Sequence, residues 1–330
     1  MNEREKRVPS LLEPKSIGGN IAMDGFDFQM DLFLCKLPYW LSVEGFTSFI
    51  SEGIGDGEAK FFLPGEGLKV ELVQVKNYYL SRKGFWGVID EFKKTDEGNP
   101  GMYRWFTLCC DGISKEIEPL LNGFRRLRHS GEFYQGTEIF QKSYEDYKKR
   151  VLSLGKDESM ADFLFQKVLI EPSAKATKSD FQDQLKEHFP VYGDLPSKIL
   201  DRVYYALKEL LRENRARTIS RKQIEKTIQA VLEENKCSVP QNPIIVTTGI
   251  DVEQEVIDKG ICFNCSAFFG GEEREYPPKE EWDSKLVKEL KDTKDWISQN
   301  RNTRHIRLLG KCRLSVAFAI GFVFSEVAGF

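Results

Sequence analysis

Residues 46–76, FTSFISEGIGDGEAKFFLPGEGLKVELVQVK, constrain the fold more than any other part of the chain. Three apolar runs, at 46–50, 59–63 and 68–75, are separated by a Gly-rich turn holding Asp56 and by Pro64-Gly65-Glu66-Gly67. Short apolar runs bounded by Gly and Pro predict three strands joined by tight turns. Side chains alternate faces along a strand. Gln74 and Lys76 therefore share one face, and Val73 and Val75 the other.

That placement has a chemical reading. Hydrolysis of a phosphodiester needs an activated water, an in-line geometry and relief of charge on the phosphate, and a divalent metal can supply much of each. Mg²⁺ prefers oxygen donors, often one or two carboxylates with waters and substrate phosphates. Asp56 is the natural main ligand, with the amide oxygen of Gln74 as a second, uncharged one. Lys76 can orient or deprotonate the attacking water and offset transition-state charge. Glu52, four residues before Asp56, can add the missing negative charge. Taken by itself, the same pattern also suits surface charges on a hairpin. Glu58 and Glu71 are expected to be strand-end or exposed acids.

The flanking sequence gives this stretch a setting. Residues 1–17 read as a mobile lead-in, and Gly18-Gly19 as a flexible turn. From Gly25, Phe26, Met30, Phe33, Leu34, Leu37 and Leu41 keep a helical period, with Pro38 expected to kink or end the helix. Gln29 lies about one turn inside. It is either a solvated position or a hydrogen-bond donor to a catalytic group or phosphate. After residue 76 come a helix at 86–92, a loop at 96–101, a buried strand at 105–110 and a helix at 114–128. This order predicts a small mixed sheet flanked by helices. Residues 133–235 are mostly helical, with candidate helices at 144–154 and 160–169. A strongly striped helix follows Pro196, and another opens on a Ser220/Gln223 capping box. Residues 236–242 break the pattern. Beyond them, strands at 243–249 and 306–310 enclose a helix at 280–298, and 313–324 is small and apolar.

Two basic clusters, Arg125/Arg126/Arg128/His129 and Arg212/Arg215/Arg217/Arg221/Lys222, are either solvated helix ends or a DNA-tracking surface. The net charge of -3 argues against a uniformly basic coat protein but leaves room for a local basic groove. The charged N-terminus has no apolar segment behind it, so no signal peptide is expected. The apolar run at 316–324 is about half a membrane span. Seven irregularly spaced cysteines suit a reducing cytoplasm. Cys262 and Cys265 form a lone CxxC, too few ligands for zinc without partners.

The acid-bearing turn followed by a polar-x-Lys strand resembles the PD-(D/E)XK nuclease core. Over residues 18–235, the order GGNIAMDGFDFQ, ISEGIGDGE, VELVQVKNYY and a helix-rich second half is similar to the nuclease domain of CD-NTase-associated endonucleases of bacterial CBASS anti-phage systems. The resemblance implies catalytic roles for Asp56, Gln74 and Lys76, and supporting roles for Glu52 and Gln29. From about Cys262 onward, Ser266-Ala-Phe-Phe-Gly270, Arg274, Pro277, Trp282, Trp296 and Arg304-His-Ile-Arg-Leu-Leu-Gly310 resemble the opening of a SAVED sensor domain, which in that family binds a cyclic oligonucleotide. A complete SAVED domain has two similar halves, so the sensor is expected to be incomplete here.

The expected fold is therefore mixed α/β: a restriction-endonuclease-like PD-(D/E)XK core with a helical extension at 18–235, a linker at 236–242, and a partial α/β SAVED domain at 243–330. The expected function is Mg²⁺-dependent cleavage of double-stranded DNA (another divalent metal being an alternative), activated by a cyclic oligonucleotide in the cytoplasm. Homo-oligomerisation would accompany activation, and no membrane is involved. The alternatives are a nuclease-fold sensor or interaction protein without catalysis, and a restriction- or repair-type nuclease not gated by a nucleotide.

Overall fold

The computed structural model describes residues 14–172, 174, 176–237, 242–271 and 276–330. A long helix α1 (Pro14–Ser42) leads into β1 (Phe46–Ser51), β2 (Gly57–Leu63) and β3 (Gly67–Leu80). Then come α2 (Arg82–Gly98), β4 (Tyr103–Ile113), α3 (Glu118–Tyr134), α4 (Glu138–Ser153), α5 (Glu158–Lys167) and β5 (Val168–Pro172). Helices α6 (Lys178–His188) and α7 (Ser197–Glu213), the two-residue β6 (Ile219–Ser220) and α8 (Arg221–Glu234) complete this part.

Its six strands form one sheet in the order β5-β4-β3-β2-β1-β6. The β1, β2 and β3 strands pair antiparallel, as predicted, and β6 joins β1 antiparallel. The β3, β4 and β5 strands are parallel, with α2 as the crossover between β3 and β4. Strand alternation divides the core between the two faces. Val73, Val75 and Cys109 pack with α1, α6, α7 and α8, around Phe33, Trp40, Phe181 and Leu207. Val70, Leu72, Phe106 and Leu108 pack against α2, α3, α4 and α5.

A second, all-parallel sheet has the order β8-β7-β9. It is built from β7 (Ile244–Thr247), α9 (Gln254–Lys259), β8 (Ile261–Cys262), α10 (Cys265–Phe268), α11 (Lys279–Glu281), a π-helical turn (Trp282–Leu286), α12 (Val287–Asn300), β9 (Ile306–Leu309) and α13 (Leu314–Val323). Its core takes in Phe62 from β2, whose ring stacks on Trp296 at 5.0 Å and 11°. Trp296 Nε1 donates to Thr47 Oγ1 at 3.2 Å. Arg301 Nη1 is ion-paired with Glu44, whose Oε1 also accepts from the Ile245 N–H at 3.2 Å.

Several expectations change. Residues 1–13 and 238–241, within the expected lead-in and linker, and Arg274 lie outside the described residues. Residues 14–17 and the Gly18-Gly19 pair belong to α1, so no turn forms there, and α1 runs past Pro38 to Ser42. The α2 helix reaches Gly98, inside the expected loop. The expected helix at 160–169 ends at Lys167, and Val168 begins β5, a short strand on the open side of β4.

Glu58 and Glu71 are buried, at 6% and 3% exposure, not exposed. Glu71 accepts from Trp40 Nε1 at 3.0 Å and from Thr107 Oγ1 at 2.8 Å. Glu58 Oε1 accepts from the Ile54 N–H at 2.5 Å. Partners from other elements make their burial tolerable.

The turn before β2 is close-packed. A Cβ on Gly57 would lie 2.7 Å from the Phe33 ring and 3.0 Å from Phe49. Gly57→Ala is expected to destabilise the protein by about 1–3 kcal/mol through overpacking, read from urea denaturation.

Candidate active site

The turn between β1 and β2 delivers Asp56 to the face of β3 that carries Gln74. Asp56 Oδ2 accepts from Gln74 Nε2 at 2.5 Å and from the Val75 N–H at 2.6 Å. Oδ1 accepts from Gln29 Nε2 at 3.1 Å. Gln29 is thus not merely a solvated helix position. Gln74 and Lys76 are half-buried between buried Val73 and Val75 and exposed Asn77. Among the described residues, the Lys76 ammonium has no hydrogen-bond or ion-pair partner, and its charge acts on Asp56.

The Asp56 carboxyl is held above the usual carboxylate range. Burial is the dominant cause; the Val75 N–H, the Lys76 charge and Gln29 oppose it, and the Glu52 charge adds to it. This strained acid is what a cation would relieve. The donor set suits a hard divalent ion of moderate affinity: one carboxylate, plus an amide whose oxygen replaces its nitrogen on a half-turn of the Gln74 terminal torsion. Among the described residues, no group of three or more His, Cys, Asp or Glu could hold a metal. Asp56 and Gln74 would supply only part of such an ion's coordination, and water and substrate would supply the rest.

Glu52 comes near Asp56 without entering its hydrogen-bond set. Its N–H donates to the Asp56 carbonyl at 2.8 Å, while its carboxylate pairs with Arg215. Sequence reasoning missed this use of Arg215, and it missed the Val75 N–H. A separation of 163 residues hides the first, and a main-chain donor leaves no signature in side-chain pattern.

The two basic clusters come apart. Arg221 is buried and donates to the Leu41 and Val43 carbonyls at 2.7 and 2.8 Å, pairing also with Glu225. Arg212 pairs with Asp27. Arg128 binds the Phe165 carbonyl and lies 4.4 Å from the Phe124 ring centroid. These three hold the fold together, whereas Arg125, Arg126 and Arg217 are exposed. Burial raises the Cys262 thiol and pushes Cys265 up to about 12. A cavity of about 880 Å³ lies apart from Asp56, between α6, α8 and the second sheet, lined by His188, Tyr192, Lys259 and Arg307 among others.

Known proteins are similar to this chain in sequence and in fold. The chain is 28% identical over 323 residues to CD-NTase-associated protein 4 of Moraxella osloensis, covering 97% of this chain and 68% of that protein. The chain resembles CD-NTase-associated protein 4 along nearly its entire length. A counterpart from an Acinetobacter species matches to the same extent. The solved M. osloensis Cap4 SAVED/CARF-domain containing receptor superposes with a TM-score of 0.78 at 26% identity, over 94% of this chain and 69% of that one. The Acinetobacter baumannii Cap4 receptor, solved with the cyclic trinucleotide 3'3'3'-cAAA, matches with a TM-score of 0.78 at 25% identity, over 93% of this chain and 70% of that one. The mixed α/β fold is thus that of the Cap4 receptors. No family model matches the sequence. Among the described residues, no helix is long and apolar enough to cross a membrane.

Proposed function

We propose that this chain is the effector endonuclease of a CBASS anti-phage system, cleaving double-stranded DNA with Mg²⁺ or another divalent metal once a cyclic oligonucleotide binds. The observation that carries the reading is the convergence of Gln29, Gln74 and the Val75 N–H on one half-buried carboxylate, with the Lys76 ammonium, unpaired among the described residues, on the same strand. Three antiparallel strands, a crossover helix and a parallel fourth strand support a PD-(D/E)XK core. The nuclease domain is assigned to 18–235, the linker to 236–242 and the SAVED-like segment to 243–330. By similarity to the Cap4 receptors, the ligand class is a cyclic trinucleotide. The remaining assignments are a cytoplasmic location and homo-oligomerisation on activation.

In this reading Asp56 and the Gln74 amide oxygen hold the ion, which supplies charge relief at the phosphate and a lower pKa for an attacking water. Gln29 and the Val75 N–H keep the Asp56 carboxylate from rotating. Lys76 donates to the attacking water or to a non-bridging phosphate oxygen and offsets the negative charge that builds there. Metal binding needs the Asp56 carboxylate deprotonated, and burial raises its pKa. Mn²⁺ affinity is therefore expected to climb as pH rises through a range above the ordinary Asp value of about 3.9, then level off. A Mn²⁺ titration series between about pH 4 and about pH 8 measures this; affinity flat across the series would contradict it.

The neutral Gln74 and the single carboxylate favour one second reading, a nuclease-fold sensor that binds without cutting. Plasmid DNA incubated with Mg²⁺ and a panel of cyclic oligonucleotides separates the two. The parent should cut only with a matching ligand, and Lys76→Ala should not cut. Equal cutting by both, or none by either under any ligand, would remove the catalytic reading, and full cutting without ligand would remove the gating.

A further inference from the structure

The turn that carries Asp56 is gripped from outside by Arg215. Arg215, between α7 and β6, donates from Nε and Nη2 to the two oxygens of Glu52, each at 2.6 Å. Its guanidinium lies 4.4 Å from the centroid of the Phe26 ring, which fixes the plane of the fork. The other α7 cations near this end, Lys208 and Arg212, pair with Asp31 and Asp27 of α1 and join helix to helix. Arg215 alone among these reaches the β1–β2 turn.

Two features suit this pair to being exchanged. Both partners face solvent, with side chains 58% and 33% exposed, so the pair is screened and readily opened. Glu52 also sits at φ 58°, in the left-handed region that disfavours a non-glycine residue. A two-pronged Arg–carboxylate pair has the geometry with which Arg grips a phosphate.

We propose that Arg215 is a phosphate-binding residue of the Asp56 site, and that a substrate phosphodiester taking the place of Glu52 on its fork frees Glu52 to act as the second carboxylate beside Asp56. This rests on reading Asp56, Gln74 and Lys76 as a metal-dependent phosphodiesterase site. It accounts for two observations together: a site with one carboxylate and a neutral Gln74, and a nearby acid already neutralised by a cation. The Glu52 N–H donates to the Asp56 carbonyl at 2.8 Å, so the two residues face each other across the turn. The consequence is reciprocal coupling: duplex raises metal affinity and metal raises duplex affinity. Without substrate, the metal site remains weak.

The test is calorimetric titration of the full chain with Mn²⁺ alone, for the parent, Asp56→Asn, Arg215→Ala, Glu52→Gln and the Arg215→Ala/Glu52→Gln pair. Arg215→Ala is expected to tighten Mn²⁺ binding about tenfold, and the double variant to lose that gain. A 20-base-pair duplex should tighten Mn²⁺ binding to the parent and not to Glu52→Gln. In metal-free buffer, fluorescence anisotropy should show Arg215→Ala binding the duplex more weakly, with a salt slope smaller by about one. Glu52→Gln leaves Arg215 on Phe26 and should bind the duplex more tightly, which keeps the test open if Arg215→Ala misfolds. Mn²⁺ binding that depends on Asp56 but is unchanged or weaker in Arg215→Ala, or duplex binding unchanged in Glu52→Gln, would overturn the latch alone. A parent with no Asp56-dependent Mn²⁺ binding would overturn the latch and the metal-site reading together.

Discussion

Asp56→Asn is expected to reduce DNA cutting by about 10³-fold or more while leaving the metal-free protein as stable as the parent, or more so, at neutral pH. The loss of activity follows from removing the carboxylate that Gln29, Gln74 and the Val75 N–H converge on. The stability effect follows from linkage. The folded-state pKa of Asp56 is raised, so the fold binds its proton more tightly than the unfolded chain does. Stability from this group is fully present below the unfolded carboxyl range and is lost as pH rises through the folded pKa. At pH 7 the charged carboxylate therefore costs stability, and a neutral amide removes that cost. With the Asn oxygen in the place of Oδ2, Gln74 Nε2 and the Val75 N–H keep their acceptor, and Gln29 can turn its amide oxygen toward the new nitrogen. Thermal melts with and without Mg²⁺ provide the check. Mg²⁺ should raise the parent's midpoint and leave that of Asp56→Asn unmoved. A melting point well below the parent's in metal-free buffer would mean that Asp56 is a structural acid.

Arg301→Ala is expected to cost about 3–5 kcal/mol, the largest single effect on stability outside the aromatic core. Arg301 joins the two sheets from the end of α12, and both it and Glu44 are almost wholly buried. Removing the cation strands the Glu44 carboxylate with the Ile245 N–H as its remaining partner among those described. Much of the loss is thus a poorly compensated charge, offset in part by the nearby Arg221, and not the worth of the pair. The double change Glu44→Gln/Arg301→Met should recover a large part, because Gln still accepts from Ile245 and no ion is left buried. Urea denaturation of the parent, the single variant and the double variant makes the comparison. A single-variant loss below about 1 kcal/mol would show that water reaches the pair.

Much of the site was legible in order. The β1–β3 strands follow from apolar runs of strand length between Gly- and Pro-rich turns. The shared face of Gln74 and Lys76 follows from strand alternation, and the Ser220/Gln223 capping box from spacing. All are local: each depends on residues within a few positions of one another. The readings that failed depend on partners far away. Glu71 looked like an exposed strand acid because nothing near it in sequence points to Trp40 or Thr107. Arg221 reads as a solvated helix end or part of a DNA-tracking surface, because its acceptors are carbonyls 178 and 180 residues distant. β5 was merged with α5 because a three-residue apolar run carries no period, and pairing with β4 decides its form.

From its sequence alone, this chain determines a mixed α/β fold and the acid-turn-QxK stretch on which a phosphodiester chemistry can be built. Tertiary structure decides which charges are available to that chemistry. It closes Gln29, Gln74 and a main-chain N–H onto Asp56, leaves Lys76 without a partner among the described residues, and holds Glu52 on Arg215. The physical reason is that strand identity is set by near neighbours and periodicity. The state of an ionisable group is set instead by desolvation and by whichever opposite charge the fold brings within reach.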